Sequence, residues 1–307
     1  MKLLNFGSLG IDHVYRVPHF VKPGETLATV SYAKHCGGKG LNQSIAMARA
    51  GIAVYHAGAV GADGGFLLDL LAGEGVDTRF IRQKSGLTGH AVIQVDDCGQ
   101  NCILLHGGAN HMVSTEQIKE TLGCFSTGDW LVLQNEINAL GEIASLAAAK
   151  GLRIVWNPSP VGPALEAMPR HAVFMLILNE VEAEAISFEK EPTRQIIALR
   201  HAFPAAEIVL TLGEKGALVY AAEAKDVISQ PAFPARAVDT TGAGDTFLGY
   251  YVAQRYQGNP PEDAAGVAAY AAAKAVEAPG AAGSIPMLTD LCPMKQHCGP
   301  FPAKSEA

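Results

Sequence analysis

The pattern that most constrains this chain is a series of short apolar runs, each ending in polar residues and separated from the next by helix-like stretches. Trp130-Leu131-Val132-Leu133-Gln134 runs out into Asn135-Glu136, and Arg153 to Trp156 runs out into Asn157-Pro158-Ser159-Pro160. Val173 to Leu178 exits through Asn179-Glu180-Val181-Glu182, and Glu207 to Thr211 exits through Leu212-Gly213. Leu3 to Gly7, Val54 to Ala59 and Asp77 to Ile81 read as further strands. Helices are expected at Gly65 to Ala72, at Thr115 to Thr121 behind a capping Ser114, through Ala149, and around Pro261 to Val276. A strand that is apolar on both faces must be covered on both. Such runs alternating with helices specify an α/β fold with a mostly parallel central sheet and helices on both faces.

In sheets of this kind, ligands sit beyond the carboxyl ends of the strands. Asp12, Glu136, Asn157, Asn179, Glu182, Thr211 and Gly213 are therefore expected to crowd one rim. Each alone also reads as a turn or helix cap. Their joint placement is better explained by a ligand site.

Thr26 to Ala33 alternates in polarity with no helix between it and the first strand, and Gly89 to Val95 pairs with Cys102 to His106 across a hairpin turn at 96–101. These segments predict a small β-sheet, formed by about 12–34 and 86–108, that projects as a lid and excludes water from the site. The rest reads as a single domain over 1–307, with 291–307 a loose C-terminal tail rich in Pro, Cys, Gly and Lys. The lid's exposed edges are expected to pair with a second copy, giving a homodimer.

Two glycine-rich turns, each leading into a helix, carry the chemistry. In Asp239-Thr240-Thr241-Gly242-Ala243-Gly244-Asp245-Thr246-Phe247, the small residues 242–244 let backbone N–H groups converge on an anion, and the helix dipole adds positive potential there. Asp245 falls in the first turn, placed to accept the proton of a hydroxyl attacking phosphorus. In Cys36-Gly37-Gly38-Lys39-Gly40-Leu41-Asn42-Gln43, the glycines leave the Lys39 ammonium open to a substrate and Asn42 lies one turn on. Alone, the first stretch equally fits a loop closed by a capping Asp, and the second a flexible loop with an exposed lysine. Neither is a common nucleotide motif: Gly-x-x-x-x-Gly-Lys-Ser/Thr is absent, and Phe247 interrupts Gly-x-Gly-x-x-Gly.

Composition narrows the classes of function. A chain of 307 residues, 49% apolar and 17% charged, folds with a substantial core, and a net charge of −7 without Lys/Arg clusters argues against nucleic acid as partner. No signal peptide and no apolar run of 18 residues is evident, so neither export nor a membrane is expected. The six cysteines lack zinc-site spacing, and the ten histidines are scattered. Reduced thiols in a cytoplasmic protein are the expectation.

Taken together and in this order, the two glycine motifs resemble the signatures of the ribokinase-like (PfkB) carbohydrate kinases, and the likeness extends over about Leu3 to Ser284. The resemblance implies a ribokinase-like fold with a β lid and transfer of a phosphoryl group from ATP to the primary hydroxyl of a small sugar. It implies Asp245 as base, Gly242, Ala243 and Gly244 as anion hole, and Asp12, Gly38, Lys39, Asn42 and Glu136 as sugar contacts. Asn179, Glu182, Thr211 and Gly213 match positions near the ATP phosphates and Mg2+. A monovalent cation, usually K+, would take Asp239 and Ser284 side chains with the carbonyls of Thr241, Ala275, Ala278 and Gly280. One departure stands out: the family commonly reads Gly-Ser-x-Asn-x-Asp after the first strand, and here Gly10 replaces the amide, which changes preference among close sugar analogues and leaves ribose in doubt. A nucleoside kinase of the same family and a non-catalytic sugar sensor are the rival readings.

Overall fold

The computed structural model describes residues 1–162, 164–221 and 226–291. The strands in chain order are β1 (Leu3–Phe6), β2 (Gly10–Arg16), β3 (Ser31–Gly37), β4 (Tyr55–Val60), β5 (Asp77–Gln83), β6 (Gly89–Val95) and β7 (Asn101–His106), then β8 (Trp130–Gln134), β9 (Arg153–Asn157), β10 (Val173–Asn179), β11 (Glu207–Thr211), β12 (Ala217–Tyr220) and β13 (Ile228–Gln230). Nine of them form one sheet in the order β13-β12-β11-β10-β9-β8-β1-β4-β5, parallel except for β12 and β13 at one edge. The chain leaves β1 toward β4 on one side and returns to β8 on the other, which opens a crevice at the carboxyl ends of β1 and β8.

Strand residues alternate between two cores. Leu3, Val132, Val155, Ile177 and Val209 pack against the helices Lys39–Arg49, Ala243–Tyr256 and Pro261–Ala275. Leu4, Leu131, Ile154, Leu176 and Ile208 pack against Thr115–Gly123, Leu140–Ala149, Glu180–Ser187 and Pro192–Ala202 on the other face. The fold class read from the apolar runs is therefore the one observed, with no helix among the described residues long and apolar enough to cross a membrane.

Four strands form a separate sheet in the order β3-β2-β6-β7. Here the sequence reading needs correction. The alternation at Thr26 to Ala33 suggested a strand, whereas β3 runs from Ser31 to Gly37, so the alternating pattern lies mostly in the loop before it. The turn after β1 flows directly into β2, a strand not separately expected, and Asp12, where the expected lid begins, lies on it. Its alternation was masked because β2 is half-exposed on both faces beyond Ile11. The helices Glu180–Ser187 and Pro192–Ala202 and the strands β12 and β13 were not foreseen. The tail assigned to 291–307 lies outside the described residues except for Leu291, which is buried.

At the root of the lid, Gly37, Gly10 and Gly89 stand opposite one another across three strands. A Cβ on Gly37 would fall 2.3 Å from Asp12 Oδ2, and one on Gly89 would fall 2.3 Å from Asn110 Nδ2. Asn110 also clamps the main chain of Leu9, accepting from its N–H at 3.0 Å and donating to its carbonyl at 2.9 Å.

The helices Lys39–Arg49 and Ala243–Tyr256 meet where Gly249 presses on Ala46, and a Cβ on Gly249 would lie 2.3 Å from that of Ala46 and 2.9 Å from the Met47 nitrogen. Gly249 is four residues after Asp245 and Ala46 four after Asn42, so this close approach sits one turn below the motif residues. Gly249→Val should separate the helices, costing about 1–3 kcal/mol of stability and much of the activity. Thermal melting together with a turnover assay checks both.

Candidate active site

Gly38 and Gly242 occupy the N-cap positions of the two motif helices with φ of 95° and 77°, a left-handed region that side chains avoid. Neither supplies a side-chain cap. For the first helix, Glu136 from the loop after β8 does so instead: its Oε2 accepts from the Lys39 amide at 2.9 Å and from the Ser8 hydroxyl. Ser8 Oγ in turn accepts from the Gly40 amide at 3.2 Å. Glu136, expected as a sugar contact, thus has its Oε2 committed to building the loop.

The second motif differs in one detail from its sequence reading. Only Gly242 precedes the helix, and Ala243 and Gly244 already belong to its first turn. The amide of Ala243 donates to the Thr240 carbonyl at 3.3 Å, and those of Gly244 and Asp245 find no acceptor among the described residues. Two free amides at a helix start form a nest for an anion.

Asp245 is buried, and each of its oxygens accepts an amide from the other motif: Oδ2 from Asn42 at 3.1 Å and Oδ1 from Gln43 at 2.9 Å. Burial opposes the charge on Lys39, but the carboxylates of Asp245, Glu136 and Glu182 outweigh it and hold the ammonium above its ordinary value. Lys39 is therefore half-buried among carboxylates rather than exposed in a flexible loop. Asn42 Oδ1 is buried and has no hydrogen-bond partner among the described residues. Asp12 completes this side. Burial first, and then the nearby Glu136, push its carboxyl up to about 6, with His35 on the paired strand pulling it down.

The positions expected near nucleotide phosphates cluster at the neighbouring strand ends. Asn179 and Thr211 stand side by side on β10 and β11, and Thr211 Oγ1 donates to the Leu178 carbonyl at 3.3 Å. Asn179 and Glu182 form a reciprocal capping box, each side chain accepting from the other's amide at 3.0 Å. Gly213, with φ of 56°, opens the next 3-10 turn.

Of the residues proposed for a monovalent cation, Asp239, Thr241 and Gly280 are brought together. Asp239 accepts from Thr241 N–H at 2.9 Å and from its hydroxyl at 2.6 Å on one oxygen, and from Gly280 N–H at 2.9 Å on the other. Those bonds join the loop before the helix to the loop after Pro261–Ala275, and they lower the Asp239 carboxyl despite its partial burial. Ala275 accepts from Ala278 N–H at 3.3 Å, and Ser284 donates to the Ala281 carbonyl at 3.0 Å. Arg49, at the last turn of the first motif helix, holds this loop by donating to the carbonyls of Ala282 and Ile285 while paired with Glu74.

Several residues that build the site were given no role in the sequence reading: Ser8, Asn5, Gln43 and Gln134. Asn5 is the one polar residue within an otherwise apolar buried strand, and Gln134 ends another. A polar residue buried among apolar neighbours signals that a partner exists, without saying which.

Comparison with known proteins identifies the family and the fold. Residues 2–288 match the pfkB family of carbohydrate kinases. The chain is 33% identical over 300 residues to the ribokinase of Haemophilus influenzae, covering 95% of this chain and 97% of that one. Among solved structures it resembles ribokinase from Thermotoga maritima, with TM-score 0.86 and 30% identity over 96% of this chain and 99% of that one. It also resembles Arabidopsis thaliana ribokinase complexed with ribose and ATP, with TM-score 0.85 and 26% identity over 95% of this chain and 98% of that one. The chain belongs to the pfkB family and is a ribokinase-like carbohydrate kinase, a phosphotransferase with an alcohol group as acceptor.

Proposed function

We propose that this protein transfers the γ-phosphoryl group of ATP to the primary hydroxyl of a small sugar. The observation that carries the reading is the convergence of two distant motifs on one carboxylate, with Asp245 held by Asn42 and Gln43 beside the unpartnered Asn42 Oδ1. Asp12, Lys39, Asn42 and Glu136 bind and orient the sugar. Asp245 takes the proton of the attacking hydroxyl, and the amides of the Gly242–Gly244 turn bind the phosphoryl oxygens. ATP supplies the phosphoryl group, with its phosphates along the rim at Asn179, Thr211 and Gly213. Mg2+ would be held by the nucleotide's own oxygens and by water near Glu182, and it would neutralise charge on the phosphates. The carbonyls of Thr241, Ala275, Ala278 and Gly280, with Asp239 and Ser284, are hard oxygen donors of the kind K+ takes.

A sugar fits better than a nucleoside. The lid residues paired with Asp12 and Val14, and hence on their face, are His35, Ala33, Ala91 and Ile93, whereas Tyr15 and Tyr32 lie on the opposite face, so these positions offer a base no Phe, Tyr or Trp. The corner at Gly10 holds main chain only: a Cβ there would meet Gly37 and Gly38 backbone at 3.3–3.5 Å. That leaves the identity of the sugar, ribose included, to the substrate panel. The lid's edge strand β7 exposes Ile103, Leu104 and Leu105, a surface suited to a second copy of the lid.

Three experiments test the reading. ADP release across pentoses, hexoses and nucleosides should appear with one or a few sugars and not with nucleosides; sugar binding without ADP release anywhere in the panel would mark a sensor instead. Asp245→Asn should lower turnover by about 10²–10⁴ with ATP binding retained, and a variant as fast as the parent would remove Asp245 from the mechanism. Asp12 has a pH signature. Its folded value of about 6 lies above the ordinary 3.8, so the folded state holds the proton more tightly and ionising Asp12 costs stability. That cost grows between pH 4 and 6 and is complete above about 6. Asp12→Asn should therefore raise the melting temperature at neutral pH and leave it unchanged below the ordinary value, while weakening sugar binding. In the parent, KM for the sugar should rise as pH falls through about 6.

A further inference from the structure

Of the two amides on Asp245, Asn42 is a proposed sugar contact, but Gln43 is fully buried and its polar atoms are engaged within the protein. A side-chain amide is nearly symmetric in shape, so packing alone does not decide whether it presents NH2 or carbonyl. A carbonyl turned on Asp245 would set oxygen against carboxylate oxygen. Gln43 is kept from that orientation because its Oε1 accepts from Gln134 Nε2 at 2.7 Å. Gln134 directs its Nε2 this way because the same group donates to Asn5 Oδ1 at 2.9 Å. Asn5 in turn is fixed by its own Nδ2, which donates to the Gly40 carbonyl at 2.7 Å and to Ser44 Oγ at 2.8 Å.

A second arm ends at the same place. Gln43 Nε2 also donates to Asn157 Oδ1 at 3.1 Å, and Asn157 is oriented by donating from Nδ2 to the Ile177 carbonyl at 2.9 Å. Main-chain carbonyls cannot flip. Those of Gly40 and Ile177 therefore set the polarity of four side-chain amides, which deliver the NH2 of Gln43 to Asp245. Stability alone does not account for the arrangement, because it leaves Gln134 Oε1 buried and without a partner, a loss that apolar residues of the same shape would avoid.

Resting on the assignment of Asp245 as base, we propose that Gln43 is a positioning residue for phosphoryl transfer: oriented by Gln134, Asn5 and Asn157, its amide fixes the Asp245 carboxylate in the rotamer that meets the acceptor hydroxyl. The role is geometric. Gln43 touches neither substrate, and its effect passes wholly through Asp245.

The test uses the full-length protein with ATP and the sugar that gives most ADP release. Gln43→Met should lower kcat by about 10- to 100-fold with KM for both substrates close to the parent's, and the melting temperature should fall because Asp245, Asn157 and Gln134 each lose a buried partner. In an Asp245→Asn background, adding Gln43→Met should cost nothing further, because the carboxylate it positions is gone. Gln43→Glu, which matches the native shape, should lose more near neutral pH than in acid when each rate is divided by the parent's at the same pH, because only a protonated Glu can donate to Asp245. An unchanged kcat in Gln43→Met, or a loss that multiplies with that of Asp245→Asn, overturns the proposal. If Gln43→Met does not fold, a flat pH ratio for Gln43→Glu overturns it instead. A fully active Asp245→Asn would sink the base assignment itself, whereas an impaired Asp245→Asn beside an intact Gln43→Met sinks only the role of Gln43.

Discussion

The site depends on one close helix–helix contact. Gly249 against Ala46 lets the backbones of two helices approach closely, and one turn above it Asp245 meets Asn42 and Gln43. Those partners are 203 and 202 residues apart in the chain, so the carboxylate exists as a site only after the whole sheet has formed. A buried carboxylate without donors would be costly. Here both oxygens are satisfied from one neighbouring helix, so the contact that assembles the motifs also makes the burial tolerable.

The rim around this contact is assembled with the same economy of parts. Glu136 caps the helix that Gly38 cannot cap, and Lys39 balances three carboxylates. Asp239 joins two loops through the amides of Thr241 and Gly280. Main-chain donors carry much of the load, as expected where chains turn sharply and side chains would block a ligand.

The sequence made the α/β class and the strand ends legible because continuous apolar runs ending in polar residues have few other solutions. The two motifs were equally legible as glycine-rich turns before helices. What escaped was of two kinds. Strand β2 is half polar because it stands in the lid with little core behind it, so its periodicity was hidden, and the alternation of Thr26 to Ala33 fell mostly in a loop. The amides of Asn5, Gln43 and Gln134 were visible as residues but not as a network, since a polar side chain in a buried strand tells of a missing partner and nothing of its address. Asn179 and Glu182 show the converse. Their spacing matches both a capping box and a rim position, and only the folded geometry reveals the capping bonds.

The helix Lys39–Arg49 has a mechanical consequence of its own. Its first turn lies beside Asp245 and Glu136, and its final residue, Arg49, grips the carbonyls of Ala282 and Ile285 in the loop whose Ala281 packs on Gly242. Eleven residues of helix make a strut roughly 16 Å long. A stiff strut fastened at both ends cannot let one end drift alone, so any displacement at the Ala282 loop is felt at Lys39 as a tilt, and the two shores of the crevice keep a common frame.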